Sequence, residues 1–137
     1  MSKSILILDD RKTFVERLTE VLRLTDSTFD IVECLDVDTA WREFNSRSNW
    51  DVIVIDLMVP PGALFQDVDT GSGLNTGQIF AQRIVDSDVD FTSMYIHSSR
   101  NKGVGQDLVS HPKVKELPKS EYSNVDMADI IVGNRRV

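Results

Sequence analysis

Two apolar runs of this chain end in carboxylates. Ser4-Ile5-Leu6-Ile7-Leu8 leads into Asp9-Asp10, and Asp51-Val52-Ile53-Val54-Ile55 leads into Asp56. A third run, Met94-Tyr95-Ile96-His97, leads into Ser98-Ser99. A fourth, Val114-Lys115-Glu116-Leu117, passes through Pro118 to Lys119. If the four are neighbouring parallel strands, three carboxylates, a hydroxyl and an ammonium gather at one sheet edge. Carboxylates gathered there can hold a divalent cation, which can escort a phosphoryl group onto one of them.

The elements needed to position these groups can be read between them. Short apolar runs alternate with helical patterns, the mark of a parallel α/β sheet. Phe14, Val15, Leu18, Val21 and Leu22 form one helical stripe after the first strand. A second strand is expected at Phe29 to Cys34. A helix then starts near Asp38, its expected N-cap, with Ala40, Trp41 and Phe44 facing inward. The third strand is Val52 to Ile55. A helix with Ile79, Phe80 and Ile84 inward resumes near Gly77, and a fourth strand runs from Thr92 to His97. A short helix around Val104, Leu108 and Val109 precedes the fifth strand. A last helix from Tyr122 to Val132 should turn Val125, Ala128, Ile131 and Val132 inward. The expected count is five strands and five helices in strict alternation.

The stretch from Pro60 to Asn75 has no period and is rich in Gly, Pro and Asp, so it reads as a long loop. Such loops are uncommon inside compact domains and tend to be functional or mobile. Leu64 and Phe65 offer it an apolar anchor.

Bulk properties narrow the function. At 137 residues the chain is most simply one domain, 1–137, with a real core. A net charge of −7 argues against nucleic acid or an anionic membrane as the main partner. No apolar run approaches a membrane span and no signal segment is evident, so a cytoplasmic location is expected. Cys34 is the single cysteine, which rules out an internal disulfide or a thiolate metal cluster.

Taken in order, Ile5-Leu6-Ile7-Leu8-Asp9-Asp10, Val54-Ile55-Asp56-Leu57-Met58-Val59-Pro60, Ile96-His97-Ser98-Ser99 and Leu117-Pro118-Lys119 resemble a CheY-like response-regulator receiver domain. The resemblance covers essentially the whole chain. It implies a flavodoxin-like, doubly wound five-stranded parallel sheet of order 2-1-3-4-5, with the site at the carboxyl ends of the strands. It implies that Asp56 is the phosphoacceptor and that Ser98 and Lys119 bond the phosphoryl oxygens. Mg2+, or Mn2+ in its place, would be held by Asp9, Asp10, Asp56 and the backbone carbonyl of Met58. Asp10 would be the direct ligand, with Asp9 acting through water. No organic cofactor is implied. The implied partners are a sensor histidine kinase or phosphotransfer protein and a downstream protein target, and a homodimer is left open. Such a stand-alone domain signals through altered binding; it is no turnover enzyme beyond its own phosphorylation and hydrolysis.

The chain departs from the family pattern at three places. Ser120, not proline, follows Lys119. Glu116 stands where the family has its switch aromatic, leaving Tyr95 or Tyr122 as remote substitutes. Thr76-Gly77, comparable to an Asp-Gly near the conserved proline, comes late, which reads as an insertion beside the phosphorylation site. These departures support an alternative: a pseudo-receiver whose binding is not controlled by phosphorylation.

Other readings are weaker. A dehalogenase-type phosphatase needs an aspartate where Met58 stands, and Asp9-Asp10 would repel the phosphate of a flavin nucleotide. Gly71 to Gly77 lacks the Gly-Lys-Ser/Thr of a phosphate loop. Asp67 and Asp69 lack the closing glutamate of a calcium loop. His97 reads as strand-end packing, His111 as a loop boundary, Cys34 as a small core residue, and Trp41 and Trp50 as packing. Arg100, two past Ser98, is the nearest cationic rival to Lys119. Arg135-Arg136 is too small a patch to imply nucleic acid.

Overall fold

A computed structural model of the chain describes residues 3–99 and 105–137. Strands and helices alternate as β1 (Ser4–Leu8), α1 (Lys12–Thr25), β2 (Asp30–Cys34), α2 (Val37–Asn45), β3 (Asn49–Ile55), α3 (Thr76–Val85), β4 (Asp90–Ile96), α4 (Gln106–Val109), β5 (Val114–Glu116) and α5 (Asn124–Val132). The strands form one parallel sheet in the order β2-β1-β3-β4-β5, the expected doubly wound topology.

Period-two alternation sends successive β1 residues to opposite faces. Ile5 and Ile7 join Val52, Val54 and Tyr95 under α1 and α5, which contribute Val15, Leu18, Leu22, Met127, Ala128 and Ile131. Leu6, Leu8, Ile53, Ile55, Met94 and Ile96 face the other way, onto Phe44, Phe80, Ile84 and Leu108. Trp50 is buried with them, and its indole N–H donates to the Phe44 carbonyl at 3.0 Å, so its polar atom is satisfied. Cys34 packs as a small core residue, and burial pushes its thiol up to about 12.

Two expectations about the helices need correction. Asp36, not Asp38, caps α2: its carboxylate accepts from the Thr39 amide at 2.7 Å. Val125 is 58% exposed, and Met127 takes the inward place beside Ala128 on α5. That helix starts later than expected, from a capping box in which Ser123 and Asp126 satisfy each other's amides. The helix packs inward through Met127, Ala128, Ile130 and Ile131. Arg100 and Val104 lie outside the described residues.

The connection from β3 to α3 is anchored. Phe65 is fully buried, edge-on to Phe80 at 6.5 Å, with the Arg83 guanidinium 5.0 Å above its ring. The amides of Ala63 and Leu64 donate to the two oxygens of Asp38, at 3.0 and 2.8 Å. Gly62, just before them, has φ +59°, and a Cβ there would lie 2.7 Å from an Asp38 oxygen. Asp38 therefore caps the start of the loop instead of its own helix. Asp38→Ala is expected to cost about 1 kcal/mol, as for loss of an N-cap. Faster hydrogen exchange at the Ala63 and Leu64 amides, with α2 unchanged, would check it.

Candidate functional site

The strands end in register, and the ladder continues past them. The amide of Asp9 donates to Cys34, that of Asp56 to Leu8, that of His97 to Ile55, and that of Leu117 to Ile96. Asp9, Asp56 and His97 are thus the first residues beyond three adjacent strands, at one level. One step further, the Lys119 amide donates to the Ser98 carbonyl at 2.9 Å. The side chains named from the sequence converge on this edge.

Asp56 is 4% exposed. Its Oδ1 accepts from the Ser98 hydroxyl at 2.7 Å and from the Met58 amide at 3.2 Å. Its Oδ2 faces the Lys119 ammonium at 3.6 Å. Lys119 lies closer still to Asp9, at 2.7 Å, and the other Asp9 oxygen accepts from the Arg11 amide at 2.9 Å. Lys119 therefore bridges two buried carboxylates and is held mainly by Asp9.

Burial lifts the Asp9 carboxyl above its ordinary range, and the nearby Asp56 charge adds to the rise. Bonds from Lys119 and the Arg11 amide oppose it. Positive charge beside these buried carboxylates offsets the cost of their burial and mutual repulsion.

Asp10 is exposed, and an oxygen from each of Asp9, Asp10 and Asp56 lies within 4.8 Å of the others. A donor set made only of carboxylate oxygens suits a hard divalent cation such as Mg2+. Both Asp9 oxygens accept hydrogen bonds, from Lys119 and the Arg11 amide, whereas Asp56 Oδ2 meets Lys119 only at 3.6 Å. Met58 meets Asp56 through its amide N–H.

His97 is buried beside this cluster, as its strand-end position suggested. Its Nδ1 lies 2.6 Å from the Leu117 carbonyl, which can only accept, so the proton sits on Nδ1. Burial lowers its pKa, keeping the ring neutral. Glu116 is half-buried at the end of β5, and Ser120 is exposed. Tyr95 belongs to the α1–α5 face of the sheet, and Tyr122 packs on the same side.

One close approach frames the site from behind. Gly77, in the first turn of α3, donates its amide to the Leu57 carbonyl at 2.9 Å. A Cβ at that position would collide with the Asp56 carbonyl oxygen and stand 2.5 Å from Leu57 Cα. The glycine lets α3 pack directly on the backbone that presents Asp56.

With the sheet order and this strand-end cluster established, the comparison with solved structures is direct. A CheY-like response-regulator receiver domain from Methylobacillus flagellatus superposes with a TM-score of 0.71 at 15% identity, covering 98% of this chain and 100% of that one. The fold is that of a receiver domain. A CheY-like receiver domain protein from Methanospirillum hungatei gives 0.70 at 10% identity, over 98% and 94% of the two chains. A receiver domain protein from Clostridium thermocellum gives 0.67 at 18% identity, over 96% and 92%. Neither a protein-family model nor a curated protein sequence matches the chain.

Within this receiver fold, the structure brings together Asp9, Asp10, Asp56, Ser98 and Lys119, all named from the sequence. Sequence reasoning missed Phe14, whose ring lies under Lys119, and the Asp38 clamp. Phe14 was legible only as one member of the α1 stripe. Among the described residues no helix is long and apolar enough to cross a membrane.

Proposed function

We propose that the chain is a response-regulator receiver that accepts a phosphoryl group on Asp56 from a phosphohistidine of a partner kinase or phosphotransfer protein. The observation that carries this reading is the convergence on one buried carboxylate. Ser98 donates to Asp56 at 2.7 Å, Lys119 stands 3.6 Å away, and further carboxylates lie beside it.

In the step itself, an Asp56 oxygen attacks phosphorus, an O–P bond forms, and the P–N bond to the donor imidazole breaks. The electron pair leaves with the imidazole nitrogen, so the products are an acyl phosphate and a free histidine. Such transfers depend mostly on positioning and charge neutralisation. The Ser98 hydroxyl can turn its donor from Asp56 to a phosphoryl oxygen. Lys119 supplies a compact positive charge on the same side. Burial of Asp56 keeps bulk water from competing.

Asp10 and Asp56 would hold Mg2+, with Asp9 through water and the Met58 carbonyl as a neutral ligand. A cation there supplies the charge that lets these carboxylates and a phosphoryl group coexist. Phosphorylation changes charge at one sheet edge and biases the surface offered to a downstream protein. In this reading the chain binds no nucleic acid or membrane, acts in the cytoplasm, and turns over no substrate but its own acyl phosphate.

The metal assignment is tested by Mg2+ titration followed through backbone amide NMR shifts near Asp56. Wild type should show saturable shifts, and Asp10→Ala should lose them. Shifts that persist unchanged in the variant would show that Asp10 is not a ligand.

A further inference from the structure

The Lys119 ammonium has a third neighbour besides its two carboxylates. It lies 3.8 Å from the centroid of the Phe14 ring. The lysine side chain is only 11% exposed, enclosed by Asp9 at 2.7 Å, Asp56 at 3.6 Å and this aromatic face.

The ring is itself held in place. Phe14 is half-buried on α1, packed against the cluster under α1 and α5. Its ring meets that of His97 at 5.7 Å, tilted by 39°. The Nδ1–H of His97 in turn bonds the Leu117 carbonyl, two residues before Lys119. Ring, imidazole and the segment carrying the lysine thus form one closed circuit of contacts between α1 and the residues that follow β4 and β5.

We propose that Phe14 is a positioning residue for phosphoryl transfer: its ring face is the seat on which the Lys119 ammonium rests and moves between Asp9 and Asp56. The role rests on the phosphoacceptor reading given above. In the present arrangement the ammonium is drawn toward Asp9, while transfer requires it beside Asp56 and the incoming phosphoryl oxygens. A hydrogen-bond acceptor at Phe14 would pin the ammonium at one point. An aromatic quadrupole attracts a cation over its whole face, so the charge can shift without losing that attraction. The ring also keeps water from the ammonium, which preserves its effect on the buried carboxylates.

The test compares wild type, Phe14→Leu and Phe14→Tyr. Leucine keeps apolar volume and helix propensity but removes the quadrupole; tyrosine restores it. The first readout is the NMR shift of the Lys119 ε-methylene protons, which a ring face at this distance moves upfield. The upfield shift should be present in wild type and Phe14→Tyr and absent in Phe14→Leu.

The second readout is the initial rate of labelling by acetyl phosphate at saturating Mg2+. Phe14→Leu should slow it by roughly 2- to 30-fold, the range from an exposed to a desolvated cation–π contact, and Phe14→Tyr should recover most of the loss. Absence of the upfield shift in wild type overturns the seat. A shift that disappears in Phe14→Leu with no change in rate overturns the positioning role. A normal shift in a wild-type protein that never labels overturns the phosphoacceptor reading instead.

Discussion

Gly77→Ala is expected to be the most damaging single methyl group that can be added near the site. At an ordinary helix position this change stabilises by about 1 kcal/mol, since alanine is the better helix former. Here the sign reverses. The new Cβ would sit 2.5 Å from Leu57 Cα and 2.8 Å from the Asp56 carbonyl carbon, all backbone that cannot rotate away. Either α3 lifts from the sheet, giving up the packing of Phe80, Ala81 and Ile84, or the Asp56–Leu57 segment moves. Overpacking of this severity should cost about 3 kcal/mol or more. A urea unfolding midpoint would measure it. A midpoint equal to or above that of wild type would show that α3 does not press on Asp56 as described.

The sheet and most of the site could be read from the sequence for one physical reason. Parallel strands buried on both faces must be apolar throughout, so a change to Asp, Ser or Lys marks where each strand leaves the core. Because β1, β3 and β4 end in register, those polar residues meet. Asp9, Asp10, Asp56, Ser98 and Lys119 were legible in this way.

Roles set by contacts between distant segments were not. Asp36 and Asp38 are both plausible caps for α2, and only the path of the later loop assigns Asp38 to Ala63 and Leu64. The sequence offered Phe65 as an anchor for that loop, and the structure shows its ring against Phe80. Phe14 fell on a helix stripe as expected, yet nothing local says that a stripe residue in the first turn of α1 will face an ammonium from the segment after β5. Val125 failed for a simpler reason. A short, largely apolar helix offers more than one apolar stripe, and packing on the sheet chose Met127, Ala128, Ile130 and Ile131.

The largest chemical effect expected is the loss of phosphoryl acceptance in Asp56→Asn. Asparagine keeps the shape of the side chain and can still accept from Ser98 and the Met58 amide. It has no anionic oxygen to attack phosphorus, and any acyl phosphate at the site requires the carboxylate. The neighbours should stay in place, because Lys119 is held mainly by Asp9, at 2.7 Å against 3.6 Å to Asp56. The variant should therefore fold and fail for a chemical reason, which makes it a clean comparison.

Intact-mass measurement after incubation with acetyl phosphate and Mg2+ tests the central claim most directly. Wild type should gain the mass of one phosphoryl group. The gain should decay as the acyl phosphate hydrolyses and should be absent when Mg2+ is chelated. Asp56→Asn should gain none. Undiminished labelling of Asp56→Asn would contradict the acceptor assignment. No labelling of wild type, with acetyl phosphate or with beryllofluoride as a stable mimic, would contradict the account as a whole and favour a binding module that works without phosphorylation.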